Sequence, residues 1–346
     1  MIIRSPSLVV LASLLSSLPA SLCISPSDIP SDTPISSLIS SAKANLANGN
    51  ANDALTYFDV AISRDPRNYL SIFQRGATYL SLGKNAQASQ DFDKVLAIKP
   101  DFEGALLQRA RIKLKNADWA AAKADYEAAG RKGKGGQELA DLEEAQGAAG
   151  LAADAAKKDD WESCVSQAGV AIMTASTALG LRQLRARCRF ERGEVQEGVN
   201  DLAHVLQISP GLIEPHLQIS SMLFYSLGDT ERGIAQLRKC LHSDPESKAC
   251  SKLFRREKKL DKAVKEIYTL KEKRQFNSAT KLLVPVGESV GLIREVKDDV
   301  EGAREAGHIH KNPPNELYSS LIEITCESYT EVCRNLNLRT APVAHN

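Results

Sequence analysis

The residues of this chain best able to do chemistry are its seven cysteines: Cys23, Cys164, Cys188, Cys240, Cys250, Cys326 and Cys333. None stands in a Cys-x-x-Cys pair or a Cys/His array with zinc spacing. Structural disulfides are therefore the chemistry open to them. Nine residues, LHSDPESKA, separate Cys240 from Cys250, and Pro245 ends the helix between them. A helix–turn–helix corner of that length brings two Cα atoms within the roughly 4.4–6.8 Å that a bridge requires, so a Cys240–Cys250 disulfide is predicted. Cys164 and Cys188 fall at helix-packing positions and are expected to be reduced and buried. His308 and His310 lack metal-ligating partners. GRKGKGG (130–136) lacks the Gly-x4-Gly-Lys-Ser/Thr spacing and preceding strand of a phosphate loop. No Ser/His/Asp or Cys/His arrangement and no paired carboxylates stand out. The expectation is a chain without catalytic residue, metal or cofactor, one that binds rather than reacts.

The N-terminus reads as a targeting segment. Arg4 opens it, Leu8 to Leu18 is apolar apart from serines, and Ala20 offers a small-residue cleavage site. A secretory signal peptide is assigned to 1–23, and the Ser/Pro-rich stretch 24–34 to a linker. Secretory entry makes disulfides permissible. After residue 25 no apolar run reaches the length of a membrane span, so no membrane association is expected once the signal is removed. A net charge of +1 leaves no global footprint for nucleic acid.

The elements that must position these residues follow from a period of 34. Ala54, Phe58, Ala61 and Pro66 recur as Ala88, Phe92, Val95 and Pro100, and the turn glycines Gly49 and Gly83 keep the same step. This is the tetratricopeptide (TPR) period: two helices per unit, small residues where they touch, and a proline where the second ends. The fold class is all-α, a TPR helix–turn–helix array forming a superhelical solenoid. Units 1–3 are placed at 35–136, units 4–6 at 137–250 and degenerate units 7–8 at 251–331, with the pattern interrupted near 137 and 250. A divergent tail is assigned to 332–346, beyond a last helix at about Leu317–Tyr329.

In such arrays the first helix of each unit lines the concave face. Counting from Ile35, Tyr69 and Glu103, the facing residues are mostly apolar, and Ile39, Leu46, Leu70, Phe73, Leu80 and Leu107 are the candidate client-binding set. At the positions where a carboxylate clamp would carry cations stand Ile39, Lys43, Gln74, Gly104 and Gln108, so only Lys43 could serve. A groove of this character suits apolar peptide segments. The stretch 252–274 carries ten Lys/Arg against four Asp/Glu. Its apolar residues recur at helical spacing, which reads as a solvated face on a long helix.

Three stretches resemble one family: LRQLRARCRFERGEVQEGVNDLAHVLQISPG (181–211), ISSMLFYSLGDTERGIAQLRKCLHSDPESKAC (219–250) and NYLSIFQRGATYLSLGK (68–84). They are similar to the ER-lumenal TPR/J-domain co-chaperones, the inhibitors of the double-stranded-RNA-activated kinase. The resemblance covers about residues 36–331. It implies the endoplasmic reticulum lumen as location, unfolded or misfolded proteins as clients, and a BiP-type chaperone as partner. It also implies a cysteine pair at Cys240/Cys250, and a downstream partner for Cys326, for which this chain offers Cys333. The family's J domain carries a His-Pro-Asp motif; none occurs in this chain, so J-domain stimulation of BiP is not expected of it. The alternative reading is a TPR scaffold that holds a folded partner in a complex.

Overall fold

The computed structural model describes residues 24–130, 136–287 and 289–340, with side chains to Arg334. The expected signal segment, Cys23 and most of the glycine-lysine loop lie outside the described residues. Among the described residues there are sixteen α-helices and no strand. They form two compact units, one ending at Arg109 and the other starting at Ala110.

The first unit contains α1 (Ile35–Ala47), α2 (Ala51–Arg64), α3 (Tyr69–Ser81), α4 (Asn85–Ile98) and the start of α5 (Glu103–Lys115). Its core is the residues that recur with the period: Ala54, Phe58 and Ala61, then Ala88, Phe92 and Val95, all buried. Gly76 lets α4 approach α3, because a Cβ there would stand 2.9 Å from the Phe92 ring. The stretch 24–34 is not the free linker that its composition suggests. Ile29 is buried and, with Ile24, packs on Leu38 and Ala61. The Ile24 amide donates to Asp53 Oδ1 at 3.0 Å, and Arg64 donates to the Pro30 and Thr33 carbonyls. Two isoleucines give the segment enough apolar area to cap the first helix pair.

The second unit continues α5 and holds α6 (Trp119–Gly130), α7 (Gly136–Lys157), α8 (Trp161–Thr174), α9 (Leu179–Glu191), α10 (Val195–Ile208) and α11 (Ile213–Ser221), which runs on as a π turn over Met222–Ser226. Then come α12 (Thr230–Ser243), α13 (Lys248–Glu272), α14 (Phe276–Leu283), α15 (Leu292–Glu305) and α16 (Glu316–Thr340). The last helix passes through 332–340, where the divergent tail was expected, because no Gly or Pro interrupts Glu316–Thr340. The sequence pattern had no separate place for α15. Its Leu292, Val296 and Val300 join the largest core of this unit, together with Phe190, Phe224, Leu260 and Leu321.

Each helix pair turns at a residue in the left-handed region. Gly49, Gly83, Gly193 and Gly228 occupy it, and so do Ala117, Asp159 and Arg274, with φ of 61°, 58° and 55°. At Gly83 the Lys84 amide reaches the Tyr79 carbonyl at 2.9 Å; at Ala117 the Asp118 amide reaches the Lys113 carbonyl at 2.9 Å. This is one helix-capping motif repeated whether or not glycine is present. The non-glycine residues accept a conformational penalty of about 1–2 kcal/mol for it.

Both buried cysteine pairs are bonded. Cys240–Cys250 joins α12 to the start of α13, with Cα atoms 6.4 Å apart. Cys164–Cys188 joins α8 to α9, with Cα atoms 6.2 Å apart. The second bridge corrects the expectation of two reduced thiols. Both cysteines are buried, but they fill positions that face each other where α8 packs on α9, beside Ala155 and Ala156. Cys326 and Cys333 are free and exposed on α16.

Packing between α9 and α10 depends on one missing methyl group. A Cβ at Gly198 would lie 2.4 Å from the fully buried Phe190 ring. Where the preceding helix instead ends in Leu46, the matching position holds Ala54. Gly198→Ala is expected to destabilise the second unit by about 2 kcal/mol through overpacking. Adding Phe190→Leu should recover most of that loss, as a denaturation double-mutant cycle would show. Additive losses would refute the pairing.

Candidate functional site

The candidate groove residues sit on α1, α3 and α5. Ile39, Phe73 and Leu107 hold one helical position in successive units, and Leu46 and Leu80 hold another, because the 34-residue period preserves helix phase. Leu70 is 47% exposed; the other five are half-buried. Ile39 packs against Leu38 and Ala61, and Leu46 against Ala42, Ala54 and Phe58. These two are therefore partly spent on holding the first helix pair together. Leu70 is the member whose apolar surface is most available.

Phe73 is a structural wedge as well as a groove residue. Its ring centroid lies 5.7 Å from Phe92 and 5.0 Å edge-on from Phe102. Gly104, itself a groove position, makes room: a Cβ there would meet the Phe73 ring at 3.1 Å. Tyr69 extends the cluster, with its ring 5.2 Å from Phe102 and the Lys99 ammonium 4.9 Å from its centroid. Sequence reasoning missed Tyr69 and Phe102. The available signal was the crowding of Tyr69, Phe73, Phe92 and Phe102 into one repeat of a chain with few aromatics.

The arginines beside this row are neutralised. Arg75 donates to Asp91 through Nε (2.8 Å) and Nη2 (2.6 Å), and to Asp59 through Nη1 (2.8 Å). The Asp91 hydrogen bonds hold its guanidinium far above the ordinary range. Burial raises the neighbouring Tyr79 hydroxyl, and Asp59 adds to the effect. Arg109 pairs with Asp93 at 2.7 Å. In the second unit Arg185 and Arg189 grip the buried Asp201 in the same way, at 2.5 and 2.7 Å. These pairs tie one helix to the next; a lone buried Asp91 or Asp201 would be strongly unfavourable. Lys43 is exposed and has no ion pair among the described residues. The arrangement thus offers apolar area with Lys43 and Lys99 as cations that have no ion pair among the described residues, and Lys99 is stacked on the Tyr69 ring. Among the described residues no His/Cys/Asp/Glu group could hold a metal, and no helix is long and apolar enough to cross a membrane.

Comparison with known proteins agrees with the repeat. Residues 70–102 match the tetratricopeptide repeat family model. The chain is 49% identical over 290 residues to the tetratricopeptide repeat and J domain-containing co-chaperone DNJ1 of Fusarium oxysporum f. sp. lycopersici, covering 84% of this chain and 56% of that protein. It is 30% identical over 245 residues to DnaJ homolog subfamily C member 3 of Mus musculus, covering 69% of this chain and 48% of the relative. The chain spans about half the length of these curated relatives. Among solved structures, the P58(IPK) TPR domain superposes with a TM-score of 0.66 at 25% identity, covering 86% of this chain and 79% of that one. The relatives are co-chaperones built on a TPR scaffold, not enzymes. Over its repeat region, this chain is a TPR protein homologous to the TPR and J domain-containing co-chaperones.

Proposed function

We propose that this chain is the client-binding part of a lumenal co-chaperone. It takes exposed apolar segments of unfolded or misfolded polypeptides into the groove of its first unit, within the folding system of a BiP-type chaperone. The carrying observation is the apolar row Leu70, Phe73 and Leu80 on α3, flanked by arginines already committed to aspartates. Such a surface gains free energy from apolar side chains and has little to offer a carboxylate. The co-chaperone relatives support a role in protein folding. Two bonded cysteine pairs favour an oxidising compartment, in keeping with the apolar leader read at the N-terminus.

The test is capture of several unrelated denatured proteins by the purified chain. Leu70→Asp should weaken that capture about tenfold, since burying one leucine is worth roughly 1.5 kcal/mol. Helicity and thermal midpoint should be retained, because Leu70 is half in solvent. Phe73→Ser is the poorer probe: it removes the wedge between Phe92 and Phe102 and should also lower stability. Undiminished capture by Leu70→Asp would place the client site elsewhere. Binding to a single folded protein and to none of the denatured set would favour the scaffold reading.

A further inference from the structure

A second binding surface lies on α13, in the other unit. Lys248, Lys252, Arg255, Lys259 and Lys262 follow each other at steps of four, three, four and three residues. At 100° per residue they form one stripe, opposite the buried Cys250, Glu257, Leu260 and Val264. At 1.5 Å per residue the stripe is about 21 Å long. All five are exposed. On the flanks of the same helix Arg256 is neutralised by Glu295 and Asp299 and Lys265 by Glu231 and Asp261, while Lys258 lies over the Phe254 ring, 5.8 Å from its centroid. On the stripe only Lys259 has a partner, Glu295 at 3.5 Å. Lys248, Lys252, Arg255 and Lys262 have none among the described residues. The chain carries 43 acidic residues against 44 basic ones, so a shortage of acids does not explain four unpaired cations in register.

Beside the stripe lies a cleft of about 450 Å³ with a largely apolar lining. Leu217, Leu253, Ala303 and Ala306 line it together with Lys252, and its two aspartates, Asp299 and Asp298, are paired with Arg256 at 2.6 Å and Arg294 at 3.9 Å. The geometry points to an acidic amphipathic helix as the occupant. Its carboxylates, at the same four-three-four-three spacing, would face the stripe, and apolar side chains on its adjoining face would enter the cleft. A partner helix is the element whose period matches that of the stripe over its full length. The stripe gives nucleic acid no stacking platform: Phe254 is half-buried, and Tyr268 lies off the stripe. This surface is independent of the client groove in the first unit.

The experiment uses the full chain with both bridges intact. The probe is a fluorescein-labelled, helix-forming peptide of roughly eighteen residues, with Glu at the four-three-four-three spacing and Leu on the adjoining face. Two controls share its composition: one scrambles the spacing, and one carries Lys for Glu. Micromolar binding that weakens with salt is expected for the designed peptide, with both controls at least about tenfold weaker. Lys248→Glu, Lys252→Glu and Arg255→Glu together should abolish binding, and the three corresponding Gln changes should weaken it with less risk to the fold. Ala306→Trp fills the mouth of the cleft and should weaken binding while leaving the charges in place. Equal binding of the scrambled peptide overturns the proposal. So does binding that survives the Gln variant or Ala306→Trp in a helical, bridged chain. Displacement of the peptide with equal affinity by a single-stranded oligonucleotide or an anionic vesicle would likewise overturn the assignment to a polypeptide.

Discussion

Replacing Cys164 and Cys188 by alanine is expected to lower the stability of the second unit by about 3.5 kcal/mol. The two cysteines are 24 residues apart in sequence, and the chain-entropy relation gives that figure for a loop of this size. The Cys240–Cys250 loop is shorter, with a separation of 10, and its removal should cost about 2.7 kcal/mol. The order of the two losses is the informative quantity. Denaturant midpoints of the two double-alanine variants, each against the oxidised parent, would measure it. Mass spectrometry of non-reduced peptides should recover Cys164 linked to Cys188. Free thiols at both positions, or a larger loss from the short loop, would refute this account of α8 and α9.

Glu257→Gln is expected to stabilise the chain at neutral pH and to leave it unchanged near pH 4.5. Glu257 is fully buried on α13. Its Oε2 lies 2.8 Å from the Ser220 hydroxyl, which also lies 2.8 Å from the Gly233 carbonyl. Ser220 has one proton and cannot donate to both. A protonated Glu257 resolves this: the acid donates to Ser220, and Ser220 donates to Gly233. Burial pushes the carboxyl up to about 8, and the nearby charge of Asp299 pushes the same way. Arg256 on the same helix is engaged by Glu295 and Asp299, so it does not neutralise Glu257. Because the folded state holds the proton more tightly than the unfolded one, stability falls as pH rises from about 4.5 and levels off above about 8. By pH 7 the loss is about 3 kcal/mol. The amide of the Glu257→Gln variant keeps a donor for Ser220 and carries no such penalty. Unfolding free energies of both proteins across this pH range should converge at the acid end and separate toward neutrality. Parallel curves would mean that Glu257 is ionised in the fold.

Much of the array is readable residue by residue. Ala54, Phe58 and Ala61 return as Ala88, Phe92 and Val95 because each helix pair buries the same face against its neighbour, and Pro66 and Pro100 mark where a helix cannot continue. The turn position is only half legible. Gly49 and Gly83 announce it, but Ala117, Asp159 and Arg274 take the same conformation without the residue that signals it. There the capping hydrogen bonds and the packing of flanking helices outweigh the local preference. The candidate groove shows a similar division. Helix phase assigns Ile39, Leu46, Leu70, Phe73, Leu80 and Leu107 to one face. How much of each is left for a ligand depends on neighbours such as Phe102 and Gly104, which the period alone does not bring to Phe73.

By itself, then, the sequence determined an all-helical repeat, its register, the absence of any legible catalytic constellation, and the corner at which Cys240 and Cys250 can meet. These rest on contacts within a unit or between adjacent units, where spacing along the chain and distance in space are tied together by helix geometry. Tertiary structure alone decided that Cys164 faces Cys188, that 24–34 caps the first helices, that α15 joins the main core and that Glu257 is sealed from water. Each of these depends on the angle at which helices cross, or on residues such as Ser220, Gly233, Glu257 and Asp299 converging from four helices. No local period encodes that convergence; it appears only when the chain has closed around it.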